Sequence, residues 1–250
     1  MTAALYRLPE GTLAARAPGD VVVLDGEEGH HAATVKRAGV GEEILLADGS
    51  GRLGHGVVVA TGDGTADVRL VTIEDAAVAG ARFVLVQGLA KGGRDEQAVE
   101  AATELGVDGV IAWQARRCIV RWKPERAARS LVKWRTVATA AAKQSRRATT
   151  PEVDGPCSTA DLVRRLGGPD APVLVLVLHE DAEEPLASFD LPEAGDVWLL
   201  VGPEGGIAPE ELDTLTAAGA RPVRLGSTVL RSSSAGPAAL AVLSARTRWR

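Results

Sequence analysis

The sequence predicts an α/β protein in two parts, a small β-rich unit over residues 1–75 and a parallel-sheet domain over residues 76–250. Three observations carry this. The first 75 residues hold short β-branched runs separated by Gly- and Asp-rich turns. After about residue 76, apolar runs alternate with stretches of helical spacing. Those runs are apolar almost throughout, as expected of strands in a parallel sheet covered on both faces.

In the first part, 21–25, 42–48 and 55–61 read as strands, with turns at 48–54 and 62–64. This spacing suits a small barrel or sandwich. The segment EGHHAATVKRAGV between the first two reads as a short helix with Lys36 and Arg37 on one side. In the second part, 82–90 is a buried-type strand. Residues 94–106 form a helix through Ala98, Ala101, Ala102 and Leu105, stopped by Gly106. A strand at 107–113 precedes a long helix over 124–147 that Pro124 can open. Residues 171–180 and 196–206 are apolar strands, the second running straight into Gly-Pro-Glu-Gly-Gly. A helix over 209–219, a short strand over 221–226 and a last helix from about Ser234 to Arg248 complete the chain.

Charge is distributed unevenly. The net charge is −5, yet residues 116–147 carry 11 basic residues and one acidic residue, Glu125. Distribution matters more than the sum, and this block reads as a polyanion-binding face. Trp122 and Trp134 in it could stack on bases, although packing is the more ordinary role for such residues. The N-terminus lacks a secretory pattern and no run reaches bilayer length, so the expected compartment is the cytoplasm, with no membrane partner. The two cysteines, Cys118 and Cys157, form neither a zinc pattern nor a disulfide framework. The histidines are adjacent (His30, His31) or isolated (His55, His179), and no metal is expected. The GxxxxGK[ST], HExxH and GxSxG patterns are absent, which removes support for P-loop, zinc-hydrolase and serine-hydrolase chemistry.

Ligands of open parallel sheets bind beyond the carboxyl ends of the strands. In 201–206, Pro203 fixes a dihedral, and Gly205 and Gly206 leave the backbone open to a flat heterocycle or a ribose. Glu204 there suits either a ribose hydroxyl or cationic amine, or the cap of the next turn. In 225–236, Ser232, Ser233 and Ser234 suit a helix cap, while Arg231 suits an anion or a carbonyl. At 87–97, Lys91, Gly92, Gly93 and Arg94 form a strand-to-helix junction with two cations.

Taken together, these pieces resemble the ribosomal small subunit RNA methyltransferase E family of the SPOUT class. The likeness rests on His30-His31 with Val35 and Arg37, the DGSG turn, and KGGRDEQAVEAATELGV (91–107). It continues through RRC (116–118), KW (133–134), AAKQSRR (141–147), LHE (178–180), VGPEGG (201–206) and the LG and LR of 225–231. The resemblance implies a PUA-like RNA-binding β-barrel over 1–75 and a SPOUT domain over 76–250 whose chain threads a deep trefoil knot. It implies S-adenosylmethionine as cofactor, held by Leu178, His179, Glu180, Gly202, Pro203, Glu204, Gly205, Gly206, Leu225, Gly226 and Leu230. It implies a homodimer that methylates N3 of a uridine in small-subunit (16S) ribosomal RNA, free or in the assembled subunit. Arg231 is the catalytic candidate. Arg37, Lys91, Arg94, Arg116, Lys143, Gln144, Arg146 and Arg147 are the RNA-binding candidates.

One departure bears on mechanism. The family often reads Leu-Arg-Thr-Glu-Thr-Ala at the last loop, whereas this chain reads LRSSSA, with Ser233 at the glutamate position. A role for that carboxylate, including general base, does not carry over. Gly236-Pro237 is also expected to loosen or re-aim the start of the last helix. The departure leaves two other readings open, a non-catalytic RNA-binding assembly factor and a SPOUT methyltransferase acting on another RNA.

Overall fold

The structure is a computed structural model that describes residues 3–76, 80–167, 171 and 174–249. The chain forms two compact units, Met1–Val78 with Ala142–Thr150, and Ala79–Ala141 with Pro151–Arg250. The sequence reading crosses once, near residue 75. Here residues 142–150 return to the first unit, where Thr149 bridges to Gly49 and Ser50.

The first unit is one sheet of β1 (Ala4–Arg7), β2 (Val21–Leu24), β3 (Glu43–Ala47), β4 (Arg52–Gly62) and β5 (Thr65–Asp75), in the order β1-β3-β4-β5-β2. Among the described strands of this sheet, β1 and β3 pair in parallel and the other neighbours are antiparallel. Beyond the three expected strands stand β1 and β5. In β5, Ala66, Val68 and Leu70 are buried while Asp67 and Arg69 between them face outward, a period-two pattern masked by its charges. Between β2 and β3 lies α1 (Gly26–His30), which passes into one π-helical turn, His31–Val35. Tyr6, Leu13, Leu24, Ile44, Leu46, Val68 and Leu70 form the core. The sheet closes tightly over it: a Cβ at Gly56 would stand 2.4 Å from Val68 Cγ1.

The second unit is a six-stranded, all-parallel sheet. In chain order its elements are β6 (Arg82–Gly88), α2 (Arg94–Glu104), β7 (Gly109–Trp113), α3 (Pro124–Gln144), β8 (Glu152–Cys157) and α4 (Thr159–Leu166). Then come β9 (Leu174–Leu178), β10 (Asp196–Val201), α5 (Pro209–Ala217), β11 (Arg221–Val223) and α6 (Ser232–Arg246). The last turn of α3, from Ala142, groups with the first unit. The strand order is β11-β9-β10-β6-β7-β8, so the central strands are β10 and β6. Their side chains are shut away from water: Phe83, Leu85, Val86, Val197, Leu199 and Leu200 are at most 1% exposed.

Gly236-Pro237, expected from sequence to loosen or re-aim the start of the last helix, lies inside it, since α6 begins at Ser232 ahead of both residues. α6 runs through Pro237 without interruption. Gly236 instead permits close packing, since a Cβ there would stand 2.7 Å from Leu85 Cδ1. Pro237 is the sixth residue of α6, past the first turn, so the Ser233 carbonyl loses its intrahelical donor there.

Candidate functional site

The carboxyl ends of β9, β10 and β11 open on a cavity of about 1310 Å³ within the second unit. Three loops wall it: Leu178–Glu180 after β9, Gly202–Gly206 after β10, and Leu225–Arg231 between β11 and α6. All eleven residues expected to hold the cofactor line it, and Arg231 lines it with them. Parallel strands bring this about physically, because their connections return to the opposite edge and leave consecutive strand ends side by side.

Each loop is fixed differently. His179 N–H donates to the Val223 carbonyl (3.0 Å), and Asp181 N–H donates to His179 Nδ1 (3.2 Å), so the β9 loop is tied to β11 and to itself. The β10 loop is gripped from two sides. Glu204 Oε1 accepts from Arg94 Nη1 (3.0 Å) and from Lys91 N–H (3.1 Å). On the other side, Arg117 Nη1 donates to the carbonyls of Gly205 (3.2 Å) and Ile207 (3.5 Å). Burial alone would raise the Glu204 pKa, but hydrogen bonds from its own and the Lys91 N–H, with the Arg94 guanidinium, hold it below the ordinary carboxylate value.

Glu204 is therefore already engaged by protein donors. Through Oε1 it anchors the loop, and its residue also lines the cavity. The third loop contrasts with this. Among the described residues, the backbone of 225–230 takes part in no hydrogen bond with the rest of the chain, and 226–230 are exposed. A Cβ at Gly226 would meet nothing within 4 Å. Beside it, Ser232 Oγ is buried without a hydrogen-bond partner and its residue lines the cavity.

Ser233, at the glutamate position of the resembled family, is not among the lining residues, whereas Ser232 and Ala235 are. Helical geometry explains this, since positions 232 and 235 share a face and 233 is turned about 100° away. The serine at that position thus presents no group to the cavity wall.

The RNA-binding candidates fall in both units. Arg94 lines the main cavity and Lys91 lies exposed beside it in sequence. Arg116 is exposed and pairs with Glu210 (3.3 Å), while its N–H donates to both oxygens of buried Glu211 (3.0 and 3.1 Å). Glu211 also accepts from Thr159 Oγ1, which fixes the loop carrying Arg116 and Arg117. Arg37, Lys143, Gln144, Arg146 and Arg147 belong to the first unit. Of these, Arg37, Gln144 and Arg146 are exposed. Arg147 donates to Thr149 Oγ1 (3.3 Å) and its carbonyl accepts from Arg7 (3.1 Å). Lys143 is not a free cation as the sequence suggests. Its Nζ lies 2.7 Å from both oxygens of Glu28, 3.3 Å from His31 Nδ1 and 5.6 Å from the Tyr6 ring centroid.

Sequence reasoning missed Arg117, Arg224 and Ser232 as lining residues. Arg117 lay inside the RRC motif, and only its neighbour was singled out. Cys118 is a packing thiol, buried, with desolvation pushing its pKa up to about 11. Trp134 is 1% exposed and meets Trp122 edge-on at 5.2 Å, so packing is the role of Trp134. Among the described residues, no group of three His, Cys, Asp or Glu side chains is placed to hold a metal ion. No described helix is long and apolar enough to cross a membrane.

Comparison with known proteins agrees with this architecture. A family model of RNA methyltransferase domains matches residues 79–244, and one of RNA methyltransferase PUA domains matches residues 24–71. The fold is that of a SPOUT-class methyltransferase domain preceded by a PUA-like domain. Ribosomal RNA small subunit methyltransferase E of Mycobacterium bovis is 47% identical over 92% of this chain and 89% of its own length. The Bacillus subtilis protein of that name is 27% identical over 90% of each chain. The crystal structure of the Neisseria gonorrhoeae protein of that name, bound to S-adenosyl methionine, superposes with a TM-score of 0.84 at 25% identity over 98% of each chain. A Legionella pneumophila methyltransferase structure with the same cofactor bound superposes at 0.82, with 27% identity and 98% coverage of each chain. The chain belongs to the ribosomal RNA small subunit methyltransferase E family.

Proposed function

We propose that the protein uses S-adenosylmethionine to methylate N3 of a uridine in small-subunit (16S) ribosomal RNA. The observation that carries this is the convergence of three strand-end loops, with Arg231, on one cavity in a chain of this family. The residues fit the cofactor. The uncommitted backbone of 225–230 and the unpartnered Ser232 Oγ offer polar groups to an adenine and a ribose. The open space at Gly226 leaves room for them. Leu178, Leu225 and Leu230 supply apolar surface.

When bound, the cofactor supplies a methyl group already activated on a sulfonium. The protein's work is then positioning and charge stabilisation. Uridine N3 carries an imide proton between two carbonyls, and negative charge spreads onto those oxygens as solvent water takes that proton. Arg231, exposed at the N-terminus of α6, donates to one of them.

The same reading includes the deep trefoil knot, a homodimer and a cytoplasmic location. Exposed Val229 and Leu230 on the cavity loop are apolar surface suited to a second copy, and sedimentation measures that directly. The deciding experiment is methyl transfer from labelled S-adenosylmethionine to small ribosomal subunits from cells lacking the protein, with nucleoside analysis. The expected product is 3-methyluridine. Label in transfer RNA alone, or cofactor binding without transfer, overturns the proposal.

A further inference from the structure

A second cavity, of about 190 Å³, opens in the second unit between the turn before α2 and the first half of α3. It is smaller than the roughly 300–1,000 Å³ clefts that enclose whole ligands, and suits one planar group. Lys91, Asp95, Trp122, Ser130, Lys133 and Trp134 line it.

These residues are chemically unlike a packing defect. Trp122 is only partly buried and its position is set twice, by the edge-on contact with Trp134 (5.2 Å, 77°) and by its own N–H donating to Gln114 Oε1 (2.8 Å). Asp95 is 5% exposed. Its Oδ2 accepts from Ala90 N–H (3.3 Å) and its Oδ1 from Glu96 N–H (3.0 Å). A carboxylate has about four acceptor positions, and with the Asp95 N–H as a third donor one of them stays open. Lys133 is held by Glu96 (2.6 Å). Lys91 has no carboxylate partner among the described residues.

Cations continue outward from the cavity. Arg126 precedes Ser130 by four positions and Lys133 by seven, so helical spacing puts it on the face that borders the cavity. Arg126, Arg129 and Lys123 are exposed, and among the described residues none meets a carboxylate. An aromatic surface, a buried acceptor and unneutralised cations together match an unpaired nucleotide better than a protein side chain or a free anion.

We infer that this cavity is a second nucleotide subsite, in which an unpaired base of the RNA substrate, other than the methylated one, stacks on Trp122 with an N–H edge toward Asp95. Lys91 and Arg126 meet the flanking phosphates. The inference rests on the RNA methyltransferase reading of the main cavity.

The test is a fluorescence titration of the full-length protein with a short single-stranded RNA of mixed sequence, in wild type, Trp122→Phe and Trp122→Leu. Stacking quenches the wild-type emission, and Trp122→Phe removes that quench while keeping most of the affinity. Trp122→Leu weakens binding by roughly 5- to 150-fold. Cofactor affinity, measured separately, stays at the wild-type value in both variants because neither touches the main cavity. Equal quench in wild type and Trp122→Phe overturns the subsite, and so does wild-type RNA affinity in Trp122→Leu. If Trp122→Leu does not fold, the Phe comparison still decides. Methyl transfer with an unchanged KM for RNA in Trp122→Leu sinks the subsite and leaves the proposed function standing. A Trp122-dependent quench without methyl transfer to ribosomal RNA does the reverse.

Discussion

Arg94, at the first position of α2, holds Glu204 at 3.0 Å across 110 residues of sequence. The pair joins the start of one helix to the β10 loop that walls the main cavity. A partly exposed pair of this kind contributes about 1 kcal/mol. Arg94→Ala should therefore weaken S-adenosylmethionine binding about fivefold, read by calorimetry. The pH dependence has a definite sign. The folded pKa of Glu204 lies below its ordinary value, so the stabilisation is present above about pH 4.5 and is lost as pH falls through the folded value. Glu204→Gln should flatten that acid limb in an unfolding titration. An unaltered limb would mean that other carboxylates set it.

Arg231→Ala should lower kcat by roughly 100-fold or more, the usual cost of removing one donor aimed at developing charge. The S-adenosylmethionine Kd should change much less, because Arg231 is assigned to the base and the cofactor is assigned to the loops. Unchanged turnover with weakened cofactor binding would move Arg231 into the cofactor set.

Lys143 and Arg146 are three positions apart and should behave oppositely. Arg146 is exposed and its guanidinium meets no carboxylate among the described residues. Arg146→Ala should reduce the slope of log affinity for RNA against log salt by about 0.7 to 0.9. Lys143→Met should act on folding, because it leaves the partly buried Glu28 carboxylate without its cation, at about 1–3 kcal/mol. His31, beside that pair, is shifted down by burial first and by Lys143 second. An imidazole whose folded pKa lies below its unfolded value of about 6.5 costs stability as pH falls through that window. The loss should shrink in His31→Asn. A salt slope that changes in the Lys143 variant and not in the Arg146 variant would reverse the assignment.

Much of the second unit was legible because its strands are apolar on both faces. Segments such as 82–88 and 196–201 have no other way to be buried. Edge elements were harder to read. β8 carries Gly155-Pro156 within the strand, a pair that argues against a central strand and is tolerated here because β8 ends the sheet. β5 was hidden by Asp67 and Arg69 on its outer face. The cavity loops were found because glycines at strand ends mark close backbone approach. What holds those loops was not legible. Nothing local in the sequence ties Glu204 to Arg94, Arg117 to the Gly205 carbonyl, or Lys143 to Glu28; the topology brings them together.

Gly236 tests how closely α6 must pack for the site to form. An added Cβ would stand 2.7 Å from Leu85 Cδ1, 3.2 Å from Leu85 Cδ2 and 3.5 Å from Val201 Cγ2. Leu85 is fully buried, so it has little freedom to move aside. Gly236→Ala gains about 1 kcal/mol of helix propensity, and overpacking of this severity costs about 1–3 kcal/mol. The clash should win, lowering Tm by several degrees. Val201 ends β10, and α6 begins at Ser232, which lines the cavity, so the displacement should reach the site. S-adenosylmethionine binding should weaken together with Tm. Pairing Gly236→Ala with Leu85→Val removes part of the obstructing side chain and should recover some of both losses. A Gly236→Ala protein with a raised Tm would show that the sheet yields at Leu85 and that helix propensity decides the sign.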